Sequence, residues 1–227
     1  MKTETQVTIS EPNMARRSFL RYAGAGAASV GLLAVAACKK DHPVTTGIDI
    51  GSGDFGILNF AYALEQLEAA FYIQVVQTPY SGMSSTELAY LTSIRDHEIL
   101  HRNFFRTALG ANAIQALTVD FSSINFNSRT SVLAQAKAFE DTGVMAYDGS
   151  GYLIQDPTYL TLAGKIVSVE ARHAALIRDL ITPGSFAGSD VVASNGLNNT
   201  LTIAQVLPIA NTYLKTKVSA SHYNYVA

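Results

Sequence analysis

The 227-residue sequence contains no tryptophan and a single cysteine, Cys38, so a disulfide within the chain is excluded. The fold must therefore depend on apolar packing or on bound metal. An excess of basic residues is also missing, since 16 Lys and Arg stand against 18 Asp and Glu. The formal charge of −2 offers no basic surface, and we expect no nucleic acid as a partner. With 48% apolar residues, the chain is long enough for one domain with a substantial core.

A long apolar run occurs at residues 23–37, near the N-terminus. It is shorter than the about 20 residues that cross a bilayer and is typical of the apolar region of a signal peptide. Ahead of it stands RRSFL at residues 16–20, which resembles a twin-arginine export signal. Because that route carries folded proteins, it suits a protein that acquires a cofactor before export. We expect residues 1–37 to be a signal segment.

The residues VAAC at 35–38 resemble a bacterial lipobox, in which the cysteine becomes a lipidated N-terminus. We expect Cys38 to carry that lipid, and residues 38–53, which are polar and contain glycine, to form a tether. The mature protein would then be an exported, periplasmic or cell-envelope lipoprotein held on a membrane. The alternative is an ordinary cleaved signal with an incidental cysteine.

The next part of the chain, residues 54–181, has the pattern of four helices. Ser84 and Glu87 have the spacing of a capping box, and Asp156 followed by Pro157 is typical of a helix start. Short turns join the first helix to the second and the third to the fourth, which favours antiparallel neighbours. The predicted helices span residues 54–77, 84–109, 129–147 and 156–181.

A longer connection, residues 110–128, is long enough to cross the bundle, although its stretch LTVDF at 117–121 also fits a short strand. Residues 182–227 begin with a loop rich in Gly, Ser and Asn. TIAQVLPIANTYLKTKVS predicts a fifth, shorter helix there, interrupted or capped at Pro208. We therefore predict an all-α fold, a four-helix bundle with a long crossover between helices 2 and 3 and a short C-terminal helix.

The second and fourth predicted helices each contain a Glu-x-x-His motif, Glu98 and His101 in DHEILH and Glu170 and His173 in VSVEARH. Since residues three apart share a helix face, each motif directs a carboxylate and an imidazole to the same side. Both motifs lie in apolar surroundings, where burying such groups costs free energy unless a partner satisfies them.

The helix before each motif carries a glutamate followed seven residues later by a tyrosine. These residues are Glu65 with Tyr72 and Glu140 with Tyr147, so the chain is a weak internal repeat of helix pairs. We expect the two tyrosines either to hydrogen-bond a ligand or to serve in electron transfer. The alternative for each is an ordinary core tyrosine with a satisfied hydroxyl.

Packing the two helix pairs together brings four carboxylates and two imidazoles to the middle of the bundle. Four carboxylates in a core repel one another and are poorly solvated. Two divalent cations remove that problem, because their charge balances the carboxylates. Oxygen-rich ligands with one nitrogen per metal suit iron or manganese better than structural zinc. We therefore predict two iron or manganese ions, and the ligand atoms do not choose between these metals.

These motifs together resemble the ferritin-like superfamily of di-iron and di-manganese carboxylate bundles, whose known ligand set they match. The stretches ILNFAYALEQLEAAFY, RDHEILHRNFFRTALG, FEDTGVMAY and VEARHAALIRDL more narrowly resemble bacterial ferritin-like proteins related to plant desiccation-related proteins. The resemblance covers roughly residues 54–181 and extends to the C-terminal helix. It implies that Glu65 and Glu140 are terminal ligands and that Glu98 and Glu170 bridge the two metals. It also implies that His101 and His173 each bind one metal.

Three neighbouring residues have simpler interpretations. Glu68 lies one turn after Glu65 and competes for the ligand role, but the repeat aligns it with Gly143, so we place it on the bundle flank. His97 is interpreted as a partly exposed histidine beside the site. Arg178 is interpreted as a member of a surface salt bridge, the alternative being a pair with a carboxylate close to the site.

Three functions remain open at this level. The first is a membrane-tethered di-metal oxidoreductase that reacts with O2 or hydrogen peroxide, as a ferroxidase or a peroxide scavenger. The second is a non-catalytic desiccation-related or stress-related protein with a structural or vestigial metal site. The third is an enzyme similar to dimanganese catalase. The oligomeric state stays open, a homodimer being one arrangement.

Overall fold

The computed structural model describes residues 47–227, so the predicted signal segment, Cys38 and most of the predicted tether lie outside the described residues. The all-α prediction is confirmed. None of the helices within residues 47–227 has the combined length and apolarity that a bilayer crossing requires. The helices are α1 (Gly53–Gln77), α2 (Ser85–Leu109), α3 (Arg129–Ser150), α4 (Pro157–Ile181) and α5 (Ile203–Asn211).

Two helix starts follow from local side-chain chemistry. Before α2, the Ser84 hydroxyl accepts a hydrogen bond from the backbone N–H of Glu87, and the Glu87 carboxylate accepts one from the Ser84 backbone. Before α4, the Asp156 carboxylate accepts from the backbone N–H of Thr158, and Pro157 takes the first helical position. Each side chain satisfies a backbone donor that the first turn leaves unpaired, which confirms both predicted starts.

The helices form two antiparallel pairs whose central members are α1 and α3. α1 packs along α2, α3 packs along α4, and α1 and α3 contact each other. α1 buries 17 of its 25 residues and α3 buries 12 of 22, whereas α2 and α4 bury only six of 25 each. The two central helices are therefore buried over more than half of their residues, and the two outer helices direct a single stripe inward.

The crossover between α2 and α3 is held against α1 by side-chain hydrogen bonds. Asn59 donates to the carbonyl oxygen of Asn112 over 2.9 Å and accepts from the backbone N–H of Ile114 over 2.9 Å. The alternative of a strand at LTVDF is wrong, because Val119 makes only one isolated bridge, with Leu214. The hydrogen bonds to Asn59 and the buried side chains of Phe121 and Ile124 therefore hold this segment in place without strand pairing.

The C-terminal helix is shorter than the predicted segment and ends at Asn211. The Asn211 side chain donates to the carbonyl oxygen of Val218 and accepts from its backbone N–H, and so diverts the chain out of the helix. Val218–Ser219 then pairs in parallel with Ile48–Asp49. Ile50, which follows, is 1% exposed. The folded domain therefore begins at the end of the segment that we interpreted as a tether, because this strand pair and core contact hold it.

The loop after α4 is attached to the bundle through Arg178. Its guanidinium donates to Asp141 on α3 over 2.7 Å and to Asp190 in the loop over 2.6 Å. The interpretation as a surface salt bridge is wrong, since Arg178 is 3% exposed. The loop that it anchors covers it, and Asp141 is buried as well.

Candidate metal centre

Six side chains from four helices meet in the middle of the bundle. The central helices contribute one glutamate each, and the outer helices contribute one Glu-x-x-His pair each, both members of which face inward. All four carboxylates are at most 1% exposed. The six residues are those that the sequence singled out, Glu65, Glu98, His101, Glu140, Glu170 and His173.

The first group of ligand atoms surrounds Nδ1 of His101. This nitrogen lies 2.6 Å from Oε1 of Glu170, 3.5 Å from Oε2 of Glu65 and 3.7 Å from Oε2 of Glu98. One ligand atom from each of these four residues lies within 4.8 Å of all the others. Three carboxylate oxygens and one imidazole nitrogen are thus gathered around one point.

The second group surrounds Nδ1 of His173 in the same way. This nitrogen lies 2.9 Å from Oε1 of Glu98, 3.3 Å from Oε2 of Glu170 and 3.5 Å from Oε2 of Glu140. Glu98 and Glu170 therefore give one oxygen to each group, and Glu65 and Glu140 serve one group each. This arrangement fits two adjacent cations bridged by two carboxylates.

The buried atoms without a hydrogen bond identify the same set. Among residues 47–227, ten buried side-chain nitrogens and oxygens have no hydrogen-bond partner apart from the histidine–carboxylate contacts just described, and eight of them belong to this cluster. They are both oxygens of Glu98 and Glu170, one oxygen each of Glu65 and Glu140, and Nδ1 of both histidines. Orphaned buried polar atoms cost free energy, and cations at these two points would satisfy all eight.

Two tyrosines hold the remaining oxygens of the terminal carboxylates. Tyr72 on α1 donates to Oε1 of Glu140 on α3, and Tyr147 on α3 donates to Oε1 of Glu65 on α1, both over 2.5 Å. Burial and the adjacent carboxylates raise the pKa of both tyrosines well above its ordinary value, so both hydroxyls remain protonated donors. Each bond leaves Oε2 of the glutamate free to face its histidine.

Without metal, the two imidazoles provide the positive charge of the cluster. Burial opposes protonation of His101, but hydrogen bonds to Glu170, Glu65 and Glu98 raise its pKa to about 12. His173 reaches a pKa of about 12 in the same way, through Glu140, Glu170 and Glu98. Burial would raise the pKa of Glu98, but the hydrogen bonds from both histidines lower it to about 2.

The two terminal glutamates have raised pKa values, in contrast to the lowered pKa of Glu98. Burial raises the pKa of Glu140 to about 8 against the hydrogen bond from His173, and it raises the pKa of Glu65 well above its ordinary value. Protons therefore occupy part of the cluster when no cation does. Metal binding must displace those protons, because the ligand atoms need free lone pairs.

A fifth carboxylate, Glu68, lies beside the cluster, and placing it on the bundle flank was wrong. Its side chain is buried, with 4% exposure, and faces Gly143 on α3. A Cβ atom on Gly143 would stand 3.1 Å from Oε1 of Glu68. A cavity of about 10 Å³ adjoins both residues and is closed by Ile209 and Ala210 of α5. Sequence alignment of the repeats paired these two positions but did not show that they meet.

His97 is a contact that sequence reasoning missed. Its side chain is exposed, as interpreted, but its Nδ1 lies 2.9 Å from Nε2 of His173. The two rings are nearly parallel, at 7°, with centroids 5.1 Å apart. The signal was available, because His97 precedes His101 by four residues and therefore lies at the edge of the inward stripe of α2.

The comparison with known protein families agrees with the fold. The model of the ferritin-like domain family matches residues 53–183, which is more than half of the chain and includes all six cluster residues. A search of the curated proteins found no match. The extent of the domain match shows that this chain belongs to the ferritin-like domain family.

Proposed function

We propose that this protein is an exported, lipid-anchored oxidoreductase whose Glu/His cluster holds two iron ions and acts on O2 or hydrogen peroxide. Its substrate would be Fe(II) in a ferroxidase reaction, or peroxide in a scavenging reaction. The observation that carries the proposal is the set of eight orphaned ligand atoms arranged as two groups that share Glu98 and Glu170. Bound metal would supply the electrons for reducing oxygen species.

The chain's own residues provide orientation and exclusion of water. Tyr72 and Tyr147 fix the terminal carboxylates, so that one oxygen of each is directed at the cluster. The bridging carboxylates of Glu98 and Glu170 have no other hydrogen bond among the described residues and are therefore free to change their binding mode. Burial of all four carboxylates keeps bulk water from the centre.

The donor set supports iron and manganese equally, because both accept carboxylate oxygens and imidazole nitrogens. Iron is the choice for a ferroxidase, whereas a pair of manganese ions would favour a reaction similar to that of dimanganese catalase. The identity of the metal therefore decides which activity to assay.

A structural role is the second candidate, and a specific observation favours it. The contacts of His101 with Glu170 (2.6 Å) and of His173 with Glu98 (2.9 Å) are short enough for imidazolium to satisfy part of the cluster without metal. The protein would then be a stress-related protein with a polar core, in keeping with the desiccation-related proteins that its motifs resemble.

Metal content and turnover test the proposed activity. Full-length protein purified without chelator and loaded with Fe(II) or Mn(II) is expected to hold about two ions per chain by elemental analysis, as a dinuclear site requires. Iron-loaded protein should then consume O2 or peroxide as Fe(II) is oxidised. Oxygen release from peroxide by manganese-loaded protein would instead indicate a catalase. A folded protein with no bound metal would favour the structural role.

Substitutions separate the centre from its surroundings. Glu98→Ala and His173→Ala should each abolish metal-dependent oxidation, because each removes a ligand. Asp96→Ala is the matched control, since Asp96 lies on the same helix but is exposed, and within residues 47–227 its side chain bonds Arg95 alone. Full activity in both ligand variants would rule out catalysis at this cluster.

The proposed anchor needs its own experiment. Cys38→Ser should abolish incorporation of labelled fatty acid and shift the protein from the membrane fraction to the soluble periplasmic fraction. An unchanged distribution would instead indicate an ordinary cleaved signal with an incidental cysteine.

A further inference from the structure

The two histidines of the cluster differ in what their outer nitrogens contact. His173 directs Nδ1 at three carboxylates, and its Nε2 meets Nδ1 of His97 at 2.9 Å. His101 directs Nδ1 at three carboxylates as well, but within residues 47–227 its Nε2 has no hydrogen-bond partner. The environment around the two otherwise similar groups is therefore unequal.

The internal repeat explains the inequality. His97 stands four residues before the cluster histidine of α2. The same position in α4, four residues before His173, is Val169, which offers neither a donor nor an acceptor. Only the first repeat therefore contains a hydrogen-bonding residue at this position, which is His97. Its side chain extends from α2 to His173 on α4.

The contact also assigns the proton positions. For Nδ1 of His173 to present a lone pair to a cation, the proton of the neutral ring must be on Nε2. That N–H then donates to Nδ1 of His97, which must be unprotonated, so His97 carries its own proton on Nε2. Hydrogen bonds of this kind fix the orientation and tautomer of ligating imidazoles and increase their basicity.

We propose that His97 is a positioning residue that accepts the Nε2–H of His173 and makes the two cation positions of the centre unequal. The position served by His173 is held more tightly, because its imidazole is oriented before a cation arrives. This inference deepens the proposed function and rests on the dinuclear centre. It concerns binding, so it does not depend on whether the centre turns over.

The test is a titration of metal-free full-length protein with Co(II). Calorimetry and the absorption spectrum of the bound ion monitor the binding. Wild type should show two binding steps of different affinity. His97→Phe keeps a ring but removes the acceptor, and it should weaken one step by about 10-fold to 100-fold while leaving the other unchanged. His97→Asn places an accepting oxygen where Nδ1 stood, and it should keep both steps within about threefold of wild type.

The control is His222→Phe, which removes an exposed imidazole that belongs to neither α2 nor the cluster. It should leave both steps and the absorption spectrum unchanged. Two unchanged steps in His97→Phe would overturn the inference. Equal losses in His97→Phe and His97→Asn would also overturn it, because packing and not hydrogen bonding would then be responsible.

A metal-independent measurement separates this inference from the proposed function. In metal-free wild type near pH 7, imidazole ¹⁵N spectra should show His97 as the Nε2–H tautomer, and His97→Phe should shift the Nε2 signal of His173. An equal mixture of tautomers, or an unshifted His173, would overturn the positioning role. Two bound Co(II) ions without any iron-dependent oxidation would refute the proposed oxidoreductase and leave the positioning role standing.

Discussion

At the scale of single residues, the centre depends on side chains that are not themselves in the cluster. Tyr72 and Tyr147 each bond the terminal glutamate of the other repeat. The two hydroxyls thus connect α1 and α3 twice through the middle of the bundle. Their loss should affect stability as well as metal binding.

Tyr147→Phe in the metal-free protein should lower the free energy of unfolding by about 1–3 kcal/mol, because Oε1 of the buried Glu65 would lose its only donor. Urea denaturation measures this change. Tyr62→Phe is the control, since Tyr62 is a buried tyrosine of α1 whose hydroxyl bonds no other described residue. Equal effects of the two substitutions would show that the bond to Glu65 contributes nothing.

Glu68 and Gly143 form a second pair at this scale. Glycine inside a helix is about 0.5–1 kcal/mol less stable than alanine, so Gly143 needs a reason to be there. The contact with Glu68 supplies it, because an alanine Cβ would stand 3.1 Å from Oε1.

A double-mutant cycle tests this pair. Gly143→Ala should stabilise the protein by about 0.5–1 kcal/mol in a Glu68→Ala background, where the carboxylate is gone, and by clearly less in wild type. Thermal or urea denaturation of the four proteins gives the coupling. The same gain in both backgrounds would mean that Glu68 does not constrain Gly143.

At the scale of elements, the loop after α4 is attached to the bundle by the Arg178 network. Asp141 is buried and Asp190 is 61% exposed by its side chain, yet both bond the same guanidinium. Lys137 also contacts Asp141, at 2.9 Å. The buried contact should therefore matter more than the exposed one.

Asp141→Asn should destabilise the protein by about 1.5–3 kcal/mol, because it removes the buried charge that faces Arg178 while Asp190 still bonds the guanidinium. Asp190→Asn should have a smaller effect on global stability but should increase proteolytic cleavage of the loop at residues 182–199. Denaturation and limited proteolysis measure the two effects. A larger loss of stability for Asp190→Asn would show that Asp190, and not Asp141, is the main partner of Arg178.

At the scale of the whole molecule, the cluster sets how stability depends on pH. The raised pKa values of His101 and His173 stabilise the metal-free fold below the ordinary value of 6.5, and this contribution is lost as pH rises towards about 12. The lowered pKa of Glu98 acts oppositely, and its contribution is lost as pH falls from 4.5 to about 2. The raised pKa of Glu140 lowers stability as pH rises from 4.5 to about 8.

The metal-free protein should therefore be most stable near pH 4.5 and should weaken as pH rises, first through Glu140 and above pH 6.5 also through the two histidines. Metal affinity should change in the opposite direction and increase with pH, because binding releases the cluster protons. Urea midpoints and Co(II) affinities measured across the same pH range check both trends. Constant metal-free stability from pH 6.5 to 9 would contradict the protonation of the histidines.

Much of this molecule could be predicted from local pattern. The starts of α2 and α4 follow from capping side chains that act within one turn, and their Glu-x-x-His spacing places both groups on one face. The internal repeat was enough to select the six residues that meet in the cluster. These features depend on capping and on helix periodicity, and both act between residues that are close together in the sequence.

Other features were decided by the tertiary structure. Which glutamate each tyrosine bonds depends on how α1 packs on α3, and the contact between His97 and His173 depends on α2 facing α4. Glu68 is buried because α5 covers it, and Arg178 is buried because the loop after α4 covers it. By itself, the sequence determined the helices and the inward residues, since both repeat with the helical period. Only packing decided the partners, because contacts between distant segments depend on how whole helices fit together.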